Sequence, residues 1–134
     1  MNLFNLICLL IFSSQVLCAQ DLMKSIYFGG GSYYIDDFQI EELHNFINDI
    51  PLIHQYEIEI HGHTDDIGSI EYNKQLSIMR TSQVNYILNK MPVLKPDQIQ
   101  VIDFGELNPD YDNSTMEGKL RNRRVDIIIK RMST

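Results

Sequence analysis

Gly62-His63-Thr64-Asp65-Asp66-Ile67-Gly68-Ser69-Ile70-Glu71-Tyr72-Asn73-Lys74-Gln75-Leu76-Ser77-Ile78-Met79-Arg80 is the stretch on which the reading of this chain turns. Just before it, Tyr56, Ile58 and Ile60 alternate with Glu57, Glu59 and His61, the period of a half-buried strand. Gly62 to Gly68 then supplies a loop, and Ser69 caps a helix. From Tyr72 to about Lys90, Leu76, Met79, Val84, Ile87 and Leu88 form the core face of that helix, which Met91-Pro92 stops. The strand therefore ends close to Asp65, while the helix carries Asn73 and Arg80 at nearly the same azimuth, two turns apart. Further on, Asn122-Arg123-Arg124-Val125 opens a run of isoleucines and sets Arg123 at another strand entrance. An acid, an amide and two guanidiniums suit the paired charges of a small zwitterion.

Outward from this stretch, Ser25 to Phe28 reads as a strand running into Gly29-Gly30-Gly31-Ser32, where glycine permits close backbone approach. Asp36 or Asp37 can cap a helix whose apolar stripe is Phe38, Ile40, Leu43, Phe46, Ile47 and Ile50, ended by Pro51. A third strand covers Ile99 to Phe104, with Ile99, Val101 and Asp103 on one side. A turn-rich stretch from Gly105 to Gly118 leads to a last strand from Arg124 to Lys130. The expected fold is α+β, a two-layer sandwich in the order β-α-β-α-β-β, with one mixed parallel and antiparallel sheet and both helices against one face. The two helix-bearing connections suggest parallel neighbouring strands joined by right-handed crossovers.

The 134 residues carry a net charge of −7, yet Lys119, Arg121, Arg123, Arg124, Lys130 and Arg131 crowd the end of the chain against only Glu117 and Asp126. An acidic body argues against nucleic acid as a partner, and the local basic tail argues for one anionic contact or internal pairing. The apolar run Leu3 to Phe12 is interrupted by Asn5 and is about half the length that a bilayer span needs, so no self-spanning membrane segment is expected. With Val16-Leu17-Cys18-Ala19 behind it, residues 1–19 read as a signal peptide and residues 25–130 as one domain. Both cysteines, Cys8 and Cys18, fall in that leader, so no disulfide is expected in the remainder. Lipid attachment at Cys18 is the alternative to plain cleavage, although Leu17 stands where a small residue normally precedes such a cysteine.

Blander readings compete for the same residues. Spacing alone fits Arg80 to a surface ion pair, with Asp65 itself as one partner. His61, His63 and Asp65 have the H-x-H-x-D spacing of some metal-dependent hydrolases, but Asp66 follows where a further histidine belongs, and His44 and His54 lack ligand spacing. No metal or cofactor is expected. The serines lack a G-x-S-x-G setting and the glycine run lacks the lysine of a phosphate loop, which leaves an enzymatic role without support. Asn113-Ser114-Thr115 fits a glycosylation sequon, a match common by chance.

Gly62-His63-Thr64-Asp65, with Tyr72-Asn73, Leu76-Ser77 and Arg80 behind it, resembles the OmpA C-terminal family of peptidoglycan-binding domains. Phe28 to Ser32 with Ile35 is similar to the family's F-x-x-G-S-x-x-L opening, and Phe104-Gly105-Glu106 with Pro109 to its G-x-G-E-x-x-P element. Asn113, Thr115, Glu117-Gly118-Lys119 and Asn122-Arg123-Arg124-Val125 are similar to its closing signature. The resemblance implies non-covalent binding of the peptidoglycan stem peptide in a Gram-negative periplasm, near the outer membrane and its envelope proteins. It implies that Asp65 and Arg80 clasp the ammonium and carboxylate of meso-diaminopimelate, that Thr64, Asn73 and Arg123 support them, and that the Gly31-Ser32 backbone meets the ligand. Thr81, Lys119 and Leu120 depart from the family pattern, which expects alanine, arginine and a small residue there. The alternative is an OmpA-like shell recruited as a protein-interaction module in an envelope or secretion assembly.

Overall fold

Strict alternation on the last strand decides which face of the sheet is covered. Val125, Ile127 and Ile129 point one way and are fully buried or nearly so, whereas Arg124, Asp126 and Lys130 point the other. In a computed structural model that describes residues 20–133, the chain forms β1 (Leu22–Tyr27), α1 (Asp37–Asn48), β2 (Tyr56–His63), α2 (Ile70–Asn89), β3 (Ile99–Gly105), α3 (Met116–Asn122) and β4 (Arg124–Arg131). The leader expected at residues 1–19, with Cys8 and Cys18, lies outside the described residues. No described helix is long and apolar enough to cross a membrane.

The four strands form one mixed sheet in the order β1-β4-β2-β3. β4 runs antiparallel to both neighbours, pairing Ile129, Ile127 and Val125 with Leu22, Lys24 and Ile26 on one side and with Ile58, Ile60 and Gly62 on the other. β2 and β3 are the parallel pair. Ile26, Ile58, Ile60, Val125, Ile127 and Ile129 meet Leu43 and Ile47 of α1 and Val84 and Leu88 of α2 in one core. The architecture is the expected α+β sandwich, with three corrections. β1 and β2 are not neighbours, because β4 is inserted between them. The stretch leading to β4 contains the short helix α3, whose two turns carry no apolar stripe long enough to register as a periodic signal. Val101 shares the core-side register but stays 41% exposed, since β3 is an edge strand.

Capping agrees with the sequence at both long helices. Asp36, not Asp37, accepts from the Gln39 amide, and Ser69 accepts from the Tyr72 amide. Phe38 and Met79, expected on the apolar stripes, lie instead at the margins of their helices, 68% and 39% exposed.

The antiparallel register brings the C-terminal ends of β1 and β2 and the N-terminal end of β4 to one edge of the sheet, where Tyr27 pairs with Arg124 and Gly62 with Val125. α2 lies close over that edge only because Gly62 has no side chain. A Cβ there would sit 2.5 Å from Ser77 Oγ and 2.5 Å from Thr81 Cγ2, and Thr81 is anchored by its hydroxyl to Asp103 Oδ1 at 2.6 Å. Gly62→Ala should therefore lower unfolding free energy by about 1–3 kcal/mol, the usual range for forcing atoms into a packed core. Chemical denaturation of both proteins measures this, and equal midpoints would show that α2 does not depend on the close approach.

Candidate functional site

Arg80 sits on the buried face of α2, and its guanidinium is fully enclosed. Nε donates to the Ser32 carbonyl at 2.8 Å, Nη1 to the His63 carbonyl at 3.1 Å and Nη2 to the Gly29 carbonyl at 3.0 Å. The Phe28 ring lies 4.9 Å below it. A guanidinium carries five donors, so one N–H on each terminal nitrogen remains for something else. Burial pushes the Arg80 pKa down to about 10, opposed by the nearby Asp65 carboxylate, and the side chain stays charged at neutral pH. The expected ion pair of Arg80 with a carboxylate is corrected here, because its bonded partners are backbone carbonyls.

Asp65 pairs instead with Arg123, whose Nε donates to Oδ2 at 2.6 Å, while Oδ1 accepts from the Ile67 amide at 3.1 Å. Asp65 is only 6% exposed, so it stands inside the site and not on its rim. The carboxylate takes one donor on each oxygen and retains lone pairs on both. Asn73 is fully buried. Its Nδ2 donates to Glu106 Oε2 at 2.7 Å, and its Oδ1 has no partner within the protein.

A cavity of about 210 Å³ opens between these groups. Gly31, Asp65, Asn73, Arg80 and Arg123, all expected from the sequence, line it together with Gly30, Ile67, Tyr72 and Leu76. Gly31 has a φ of +62° and faces the Tyr72 hydroxyl, where a Cβ would come within 3.2 Å, so any other residue would be strained there. Ser32 and Thr64 are placed behind the wall. The Ser32 carbonyl accepts from Arg80 while its hydroxyl accepts from the Tyr34 amide, and the Thr64 hydroxyl is turned onto the Asp65 carbonyl at 2.8 Å. Ile67, Tyr72 and Leu76 fall within the stretch quoted first and Gly30 within the glycine run, whereas the Asn73–Glu106 contact has no signal in local spacing.

None of the three departures from the family pattern lines this cavity. Thr81 bonds Asp103, and Lys119 pairs with Asp66, tying α3 to the loop that carries Asp65. Leu120 is half exposed and lines a wider, more open depression of about 440 Å³ with Tyr27, Phe28, Glu117 and Arg121. The two charges in that depression are paired with each other, Arg121 to Glu117 at 2.7 Å, whereas Asn73, with its unpartnered carbonyl, lines the smaller cavity.

The H-x-H-x-D residues do not converge. His61 bonds Glu59 at 2.8 Å, Asp65 belongs to the cavity, and His63 stacks on Phe104 beneath the opposite face of the sheet. There His63 approaches Asp110 and Asp126, but Arg124 bonds both of those carboxylates and occupies the place of a cation. The set is an internal ion-pair network and a poor metal site.

This is a domain of the two-layer α+β class, with a cavity lined by charged and polar groups of opposite sign. The OmpA family model matches residues 27–123, and the chain belongs to that family. Outer membrane porin F of Pseudomonas fluorescens is 40% identical over 73 residues, 54% of this chain and 22% of that protein. The peptidoglycan-binding protein ArfA of Mycobacterium tuberculosis is 36% identical over 73 residues, again 54% and 22%. These alignments take in less than a quarter of each relative's length. The peptidoglycan-associated lipoprotein of Burkholderia pseudomallei has the same fold, with a TM-score of 0.66 at 24% identity over 80% of this chain and 90% of that one.

Replacing Arg80 would strand three carbonyls in a closed space. Arg80→Ala should destabilise the fold by about 2–5 kcal/mol, measured by denaturant titration, and a loss under half a kcal/mol would mean that the three bonds are replaced by water. His63 gives a second test. Burial lowers its pKa from 6.5 to about 4, helped by Arg124 and opposed by Asp126. The folded state thus disfavours the protonated ring, so this contribution to stability is whole above about pH 6.5 and is lost as pH falls toward 4. The loss amounts to about 3 kcal/mol. His63→Gln should remove that segment of the stability-against-pH curve, and parallel curves for the two proteins would contradict the burial effect.

Proposed function

We propose that this domain holds peptidoglycan non-covalently, in the cell envelope, through the zwitterionic end of a meso-diaminopimelate residue in the stem peptide. Membership of the OmpA family supports the coarse reading, as does the similarity to a relative named for peptidoglycan binding. The observation that carries the finer one is the cavity's inventory. Two unused Arg80 N–H groups and the terminal nitrogens of Arg123 stand opposite the Asp65 carboxylate and the unpartnered Asn73 carbonyl.

In this reading Arg80 and Arg123 take the ligand carboxylate and Asp65 takes the ammonium. Arg80 is already oriented by the Gly29, Ser32 and His63 carbonyls, so little rotamer freedom is lost when the ligand arrives. Asp65 is oriented by Arg123 and the Ile67 amide. An uncharged side chain would leave both sets of groups unmatched, which excludes it more strongly than its missing attraction alone. A lysine-type stem offers the ammonium without the adjoining carboxylate and satisfies only half the site. The periplasm, as the compartment that gives access to peptidoglycan, is the location that goes with this function.

Co-sedimentation with purified sacculi tests the proposal. The protein should pellet with diaminopimelate-type sacculi and bind lysine-type sacculi at least tenfold more weakly. Asp65→Asn keeps the shape and the Ile67 contact but removes the charge, and should weaken binding roughly thirtyfold to several thousandfold, equivalent to about 2–5 kcal/mol. Equal binding by Asp65→Asn and the parent, with unchanged circular dichroism, would discard the ligand assignment in favour of a protein-interaction role.

A further inference from the structure

The Asn73 side chain is fully buried and makes one hydrogen bond, from Nδ2 to Glu106 Oε2 at 2.7 Å. Glu106 does not line the ligand cavity. It reaches Asn73 from the other flank of α2, out of the turn that follows β3. That turn rests against the α2 backbone because Gly105, at φ +62°, has no Cβ to meet the Asn73 and Lys74 main chain 3.3–3.4 Å away. A carboxylate only accepts hydrogen bonds, so the amide edge facing Glu106 has to be the NH2 edge. The opposite edge is then the carbonyl, which is buried without a partner in a residue that lines the cavity. Buried polar groups are rarely left so, and a ligand, an ion or a water can complete them.

We infer that Glu106 is a positioning residue of the ligand site, fixing the Asn73 amide with its carbonyl toward the cavity so that Asn73 and Asp65 accept together from the ligand's ammonium. The inference rests on the peptidoglycan reading for the identity of that ammonium. Asp65 already receives Arg123 and the Ile67 amide, so a second acceptor lets an ammonium with three N–H groups be met without displacing either. Without Glu106 the amide can turn over and present NH2 to the ammonium, which repels it.

The test uses calorimetric titration with the soluble tripeptide L-Ala-γ-D-Glu-meso-diaminopimelate and with its analogue lacking the side-chain amine. Glu106→Gln, which can bond either edge of the amide, should weaken tripeptide binding at least fivefold and leave the analogue's affinity unchanged. Asn73→Asp places two carboxylates in contact and should also lose at least fivefold. The double variant Asn73→Asp/Glu106→Gln restores a donor facing residue 73 and an acceptor facing the cavity, and should return to within threefold of the parent. If the double variant stays as weak as Asn73→Asp, or if Glu106→Gln weakens both ligands equally, the amide orientation does not serve the ammonium and the inference falls. A ligand-free reading is the NMR signal of the Asn73 side-chain NH2, which should be shifted downfield in the parent and not in Glu106→Gln. Absence of that shift also overturns the inference. If the shift is present and the parent fails to bind the tripeptide, the peptidoglycan reading itself is wrong, and the role of Glu106 toward that ligand goes with it.

Discussion

One buried cation organises the end of this domain where the cavity lies. The Arg80 guanidinium draws the carbonyls of Gly29 and Ser32 from the loop after β1 and the carbonyl of His63 from the end of β2 together, and so fixes two segments against α2. Neither segment is regular enough there to hold itself. The glycine loop has no apolar stripe, and β2 breaks register with β3 between Gly62 and His63. A fully enclosed charge without a carboxylate partner is costly, and here the carbonyl dipoles and the Phe28 ring offset the lost hydration. Because only three of its five donors are used, the same group that closes the loops still presents hydrogen bonds to the cavity.

The two consecutive arginines where α3 passes into β4 enter different clusters. Arg123 turns toward Asp65 on the cavity side. Arg124 turns to the opposite face of the sheet, where it bonds Asp126 and Asp110 and lies 5.2 Å from the Tyr111 ring centroid. Ser25 completes that cluster by donating to Asp126 at 2.6 Å. The acidic loop before α3 is thereby clamped to the outer face of the sheet, and α3 in turn carries Lys119 back to Asp66 beside the cavity. Close packing makes this route narrow, since a Cβ on Gly118 would overlap the Asp112 carbonyl and lift α3 from its seat.

Much of this was legible in the chain itself. The alternation of Tyr56 to His61, the caps at Asp36 and Ser69 and the stops at Pro51 and Pro92 place β2, α1 and α2 from local physics alone, because each depends on neighbours within a few residues. Asp65, Asn73, Arg80 and Arg123 were identifiable as charged or polar residues at strand ends or on one helical azimuth, and their types alone pointed to a zwitterion. What local periodicity cannot encode is which strands pair. The insertion of β4 between β1 and β2 comes from burying Val125, Ile127 and Ile129 against both neighbours at once. That pairing brings Arg123 next to an aspartate 58 residues earlier. It also decides that Arg80 is buried among carbonyls and leaves Glu106 behind Asn73, contacts made across the tertiary fold between groups that share no sequence neighbourhood. The chain determined the chemistry on offer, and only the packing of distant segments decided which lone pairs and N–H groups remained free.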